Sequence, residues 1–452
     1  MVLQILGVVI ILLVSASPAG RADPAPVQYS AINCRKHTAV LTDFGAVGDG
    51  KTLNTKAFET AVANLSQFAA DGGAQLIVPA GKWLTGSFNL TSHFTLFLHK
   101  DAVILGSQNM EDWPLVAPLP SFGTAADGST GARHASLLFG ANLTDVVITG
   151  NNGTIDGQGA NWWDDFKNKK LKDARPFLVE IQSTDQLQIS NVTFTNSPMW
   201  NVHPVYCSNV VIQGVTILAP VEVPNTDGIN PDSCTNIRIE DCYIASGDDC
   251  IAVKSGIDQY GIKVGKPTKQ LAIRRSAVVA LGSEMSGGIQ DVRIEDVTAI
   301  NCQSGIRIKT AVGRGGYVKD IFARRMTMSG MEKVFWMSGA YKSHADGGFD
   351  PNALPVVHNI SYRDVVAQNV TVSAVLDGLE KSHFTGICIS NVTLNLGPAA
   401  RELQWNCTNV AGTTSRVTPK PCDELPEKAG DCPFPEDKLP IDDVVLKSCS
   451  TA

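Results

Sequence analysis

The sequence predicts an all-β fold: a right-handed parallel β-helix, a single solenoid of stacked coils with a short N-terminal capping helix. Three observations predict it. A pattern of alternating apolar and polar residues repeats along most of the chain. The repeats lie too close together for crossover helices. The 452 residues are only 18 % charged and include 40 glycines, which suits many short strands joined by turns.

The repeat begins near residue 146. Its segments are VVITGNNGTI from Val146, LQISNVTF from Leu187, VVIQGVTI from Val210 and IRIEDCYI from Ile237, then VRIEDVTA from Val292, IFARRMTM from Ile321, ISYRDVVA from Ile360 and ICISNVTL from Ile387. Each alternates at period two, as a strand with one buried face does, then turns a polar or glycine corner and resumes. Stacked coils place equivalent residues roughly 4.8 Å apart along the axis. A propeller blade needs about forty residues, longer than this period. Upstream, Thr55 to Phe68 carries apolar residues at helical spacing, and a helix there would shield the first coil from edge pairing.

The expected organisation is a signal peptide at 1–22, a cap with the first coils at 23–85, the β-helix at 86–400 and a cysteine-rich tail at 401–452. The apolar run Leu3 to Val14, followed by small residues and proline, is short for a membrane span and suits a leader, although a charged n-region is missing. No other stretch could cross a bilayer, so the mature chain is expected to be secreted and monomeric. Acceptor tripeptides at Asn64, Asn89, Asn142, Asn152, Asn191, Asn359, Asn369, Asn391 and Asn406 agree with that route, as do Cys407, Cys422, Cys432 and Cys449 in the tail. A net charge of -7 argues against nucleic acid and leaves any anionic substrate to a local basic cluster.

Two acidic motifs carry the chemistry. NTDGIN contains Asp227, and SGDDCIAVKSG contains Asp248 and Asp249, twenty-one residues on and so about one coil away. Stacking should bring the three carboxyls to one flank. Arg307 and Lys309 in GIRIKT alternate along one strand and share a face. Crowded carboxylates raise one another's pKa, so one stays protonated beside ionised neighbours, the division of labour glycoside hydrolysis requires. A guanidinium and an ammonium nearby would hold a substrate carboxylate. GDD could equally be an ordinary turn, the three acids a calcium site of an eliminating lyase, and Arg307 with Lys309 a solvated strand face.

NTDG, GDD and RIK in this order along a β-helix resemble the polygalacturonase family of glycoside hydrolases. FGAVGDG, GTIDGQGANWW, NSPMWNVHPVYC and GSEMSGGI resemble it too, over nearly the whole mature chain. The resemblance implies inverting hydrolysis of α-1,4-linked galacturonan in pectin without metal or other cofactor. It implies Asp248 as general acid, Asp227 and Asp249 as the pair that activates water, and Arg307 and Lys309 as binders of the galacturonate carboxylate. Asn225, His203 and Glu284 are candidate cleft residues. Trp162, Trp163 and Trp200 could stack on sugar rings or lie buried.

Two departures stand out. Many members carry a Gly-His-Gly motif between GDD and RIK; here QLAIRRSAVVALGSEMSGG has no such histidine, and Ser276 stands near its place. The coils from Ile237 and Val292 take fourteen residues to the next strand, whereas Leu271 reaches the matching Val278 in seven. About seven residues are therefore missing between Arg275 and Ser276, through a deletion or a misread exon junction. The count of 11 cysteines is odd, and the resemblance pairs Cys250 with a cysteine of that segment. The shortened coil would distort the cleft and impair activity. The alternatives to a galacturonan hydrolase are a hydrolase of substituted pectin, such as rhamnogalacturonan or xylogalacturonan, and a wall-binding β-helix without turnover.

Overall fold

The computed structural model describes residues 35–123, 132–341 and 343–446. The expected leader, Cys34 and Cys449 lie outside them. Among the described residues no helix is long and apolar enough to cross a membrane.

Parallel ladders stack the coils into a right-handed β-helix with three sheet faces. The first face aligns the repeat in register. Val146 pairs with Leu187, Leu187 with Val210, Val210 with Ile237, Ile237 with Leu271, Leu271 with Val292, Val292 with Ile321, Ile321 with Ile360, and Ile360 with Ile387. All are buried, and their columns fill the bore of the solenoid. Each such side chain contributes roughly 1.5–3 kcal/mol by leaving water.

Corners follow from backbone sterics. Asn191, Asp241, Asp296, Asp364 and Asn391 sit at equivalent corners of the coils with φ between 50° and 57°, and Gly214, Arg275 and Arg325 hold the corners between them. Asn and Asp tolerate this left-handed region better than other residues with a Cβ. The predicted helix forms at Thr55–Ser66, buries Phe58, Ala61, Val62 and Leu65, and stacks Phe58 on Phe88 with ring centroids 4.4 Å apart. Helices at Ala160–Lys167 and Asp258–Val264 were not foreseen; both sit in excursions between strands.

The second face runs through Gly81–Thr85, Ala102–Gly106, Thr154–Asp156, Thr193–Thr195 and Thr216–Leu218, and stops at Tyr243–Ala245. The next coil has no strand there. Ile251 pairs with Val279 and Val279 with Ile306 on the third face, so Val279, not Val278, is the matching residue. Ile237 and Ile251 are fourteen residues apart, Leu271 and Val279 eight, Val292 and Ile306 fourteen, which sets the shortfall at six.

The β-helix also runs past residue 400. Trp405–Thr408 and Val410–Thr418 add further rungs. Only after them does the chain turn back, where Leu439, Ile441 and Val444 cover Val211 and Ala272 on the outer side of the first face. Disulfides join Cys407 to Cys422 and Cys388 to Cys432.

Candidate active site

The third face carries the chemistry. Asp227 and Asp249 each stand two residues before the bridged pair Ile229 and Ile251, so stacking sets them side by side. Backbone amides tie the two motifs together: Gly228 N donates to Asp249 O at 3.0 Å, and Ile229 N to Cys250 O at 3.0 Å. The glycines of both motifs are steric necessities. A Cβ on Gly228 would lie 2.4 Å from the Cys250 carbonyl oxygen, and one on Gly247 would lie 2.0 Å from that of Val223.

The three carboxyls have different surroundings. Asp248 is exposed; its Oδ2 accepts from Asn225 N at 3.1 Å and its Oδ1 from Asp249 N at 2.9 Å. Asp249 takes Lys309 Nζ at 2.5 Å, with Arg307 Nη1 at 3.9 Å. Asp227 is buried, accepts from Asn230 Nδ2 at 2.8 Å and lies 3.7 Å from Lys254 Nζ. Burial, opposed by Lys254 and reinforced by Asp248 and Asp249, pushes the Asp227 carboxyl up to about 7. The cluster therefore retains a proton at mildly acidic pH.

Arg307 and Lys309 are preorganised by aromatics. Arg307 and Trp336 are register partners, and the guanidinium lies 3.9 Å from the indole centroid. Lys309 Nζ is 5.4 Å from the Tyr341 ring. Burial would lower the Lys309 ammonium, but the Asp249 carboxylate raises it.

Lys254, not singled out in the sequence, is the hub beneath the cluster. Its ammonium lies 2.8 Å from Glu284 Oε2, 3.7 Å from Asp227 and 4.4 Å from the Trp200 ring centroid. Burial disfavours its charge, yet Glu284 and Asp227 hold it above the usual lysine range. Glu284 is thus engaged by Lys254 beneath the cleft. Burial would raise its carboxyl, but Lys254 and Lys309 together hold it well below the usual range.

His203 is wholly buried and offers no surface to a substrate, which corrects its expected place in the cleft. It stands 3.5 Å from Glu180 and 3.4 Å from Asp232, and Glu180 also takes a bidentate pair from Arg133 at 2.7 Å per bond. Asn225 borders the site: its amide binds Asp248, while its Oδ1 accepts from Arg175 at 2.7 Å. Trp162 and Trp200 are core residues. Trp162 packs edge-on against Trp113, and Trp200 stacks on Phe177. Trp163 donates from Nε1 to Ser197 O at 3.0 Å. Ser276 is buried, and no described residue hydrogen-bonds its Oγ.

Known proteins resemble this chain in sequence and in fold. Residues 73–418 match the model of glycosyl hydrolases family 28. A probable polygalacturonase of Vitis vinifera is 61 % identical over 458 residues, covering 98 % of this chain and 93 % of the relative. The crystal structure of a hyperthermoactive exopolygalacturonase from Thermotoga maritima superposes with a TM-score of 0.72 at 26 % identity, covering 88 % of this chain and 93 % of that one. The polygalacturonase of Erwinia carotovora shares the fold, with a TM-score of 0.67 at 23 % identity over 87 % of this chain and all of the other. Sequence and fold thus agree, and the chain belongs to family 28 of the glycosyl hydrolases.

Proposed function

We propose that the protein hydrolyses the α-1,4-galacturonosyl linkages of pectin, with inversion and in a secreted, cell-wall setting. The observation that carries the reading is the meeting of three differently held carboxyls with Arg307 and Lys309 on one flank of adjacent coils. Exposed Asp248 hands a proton to the leaving glycosidic oxygen as the bond to the anomeric carbon breaks. A water held by Asp227 and Asp249 adds its oxygen to that carbon from the opposite side and gives its proton to the ionised member of the pair. Arg307 and Lys309 supply the charge that holds a galacturonate carboxylate. Disulfides between Cys388 and Cys432 and between Cys407 and Cys422 suit an oxidising compartment.

The test is release of reducing ends from polygalacturonate by the protein and by an Asp248→Asn variant. Release by the former alone is expected. Binding by both with release by neither would establish a wall-binding protein without turnover. Loss of activity on chelation, with an ultraviolet-absorbing unsaturated product, would establish a lyase.

A further inference from the structure

The third face is covered on one side of the carboxyls and bare on the other. Asp249 and Arg307 stand two coils apart on it, so a polymer touching both lies along the axis of the solenoid. In the coils that precede Asp227, Glu180, His203 and Val205 point outward, alternating with Val179, Ile181 and Val202 in the bore. Outward side chains on a bare sheet meet water, yet these three are 0 % exposed, and Trp200 beside His203 is only 3 % exposed. The cover is the excursion through residues 119–123. Leu119 and Phe122 form one buried cluster with Phe177, Trp200, Val205 and Ile257, and Phe122 meets the Trp200 ring edge-on at 6.3 Å. Ser121 pins the excursion: its Oγ lies 2.6 Å from Tyr206 Oη, and its carbonyl accepts from Ile257 N at 2.9 Å. A Cβ on Gly123 would lie 2.2 Å from the Tyr260 ring, so the helix Asp258–Val264 backs the cover closely.

The other side has no such cover. In the columns that continue Arg307 and Lys309, exposure rises from coil to coil: Trp336, Ser338, Val375 and Asp377 are half-buried, and Asn406 and Thr408 are exposed. The cleft is therefore a trough with one closed end, and the carboxyls lie at that end. Only the coil of Asp227 separates the covered floor from Asp249, a depth of about 4.8 Å that admits a single sugar ring. We infer that this wall, with Leu119 and Phe122 at its face, stops the polymer, so that the protein cuts galacturonan one residue from a chain terminus. The product is monogalacturonate, and the remaining polymer lies over the open coils. This rests on the galacturonan hydrolase reading and adds its mode of attack.

The experiment digests polygalacturonate with the protein and with a variant carrying both Leu119→Ala and Phe122→Ala. Early products are sized while viscosity and reducing ends are followed together. The unaltered protein is expected to give monogalacturonate as its first product, with viscosity falling only slowly as reducing ends accumulate. In the folded variant the share of di- and trigalacturonate among early products should rise severalfold. A ladder of longer oligomers from the unaltered protein, with an early collapse of viscosity, would overturn the inference and leave the hydrolase reading standing. So would an unchanged product size in the folded variant. No release of reducing ends by the unaltered protein would overturn the hydrolase reading and this inference with it.

Discussion

Two buried charge clusters share the third face, and burial acts on them with opposite results. In the first, Glu180 faces Arg133 in a bidentate pair with His203 alongside, and despite burial these cations bring its carboxyl down to about 2. In the second, Asp227 has Lys254 at 3.7 Å, but Lys254 is closer to Glu284, and Asp248 and Asp249 add like charge; burial prevails and the carboxyl rises to about 7. Depth is common to both. The number and closeness of cations per acid decides whether a buried carboxyl is a structural tie or a proton store.

The contrast can be broken in order of effect. Asp248→Asn should lower kcat by about 10²–10⁴-fold, the usual contribution of a positioned general acid. Asp227→Asn should lose activity yet gain stability at neutral pH. A folded-state pKa raised from 3.8 to about 7 favours the protonated form, so Asp227 supports the fold below pH 3.8 and ceases to as pH rises through 7. Thermal melts at pH 7 should show the variant above the parent, with the difference vanishing near pH 3.5.

Glu180→Gln should do the reverse: activity retained in the folded fraction, and stability lowered by roughly 3–5 kcal/mol because Arg133 loses its partner. With its pKa depressed from 4.5 to about 2, Glu180 contributes stability above pH 4.5 that is lost as pH falls towards 2. Urea midpoints across that window should steepen in the parent and flatten in the variant. If activity fell in proportion to that of Asp227→Asn, the division between structural and catalytic clusters would fail.

Substitutions at the hub sharpen it further. Lys254→Met removes the largest charge favouring ionised Asp227, so the acid limb of the kcat/KM profile should move to higher pH. Glu284→Gln leaves Lys254 to Asp227 alone and should move the same limb to lower pH. A purely structural hub would lower kcat in both without displacing the limbs. The smallest effect belongs to the surface: Arg275, half-exposed against Asp241 and Glu240, should cost under about 1 kcal/mol when replaced by alanine.

The repeat was legible because its signal is local. Every segment start from Val146 to Ile387 falls in one column, since period two fixes which side chains enter the bore. The helix at Thr55–Ser66 was legible for the same reason, from its 3.6-residue spacing. Lys254 and the burial of His203 were not, because they depend on partners from other coils: Lys254 meets Glu284 thirty residues on, and His203 meets Glu180 and Asp232. Three of the acceptor tripeptides coincide with corners of the coils. Asn152, Asn191 and Asn391 occupy left-handed corners that favour asparagine, and Thr154, Thr193 and Thr393 begin or continue the strands that follow, so turn chemistry also favours N-x-T at these places.

The abbreviated coil also divides the molecule mechanically. On either side neighbouring coils are joined on all three faces, by ladders or by isolated bridges, but at Thr268–Leu281 only the first and third faces hold. In a solenoid whose cohesion is a sum over adjacent coils, a rung that lacks its second-face ladder is a weak interface within the stack. Opening should start there and separate two cooperative halves, and native-state hydrogen exchange should find the amides of Tyr243–Ala245 and Val297–Ile300 released before those on either side.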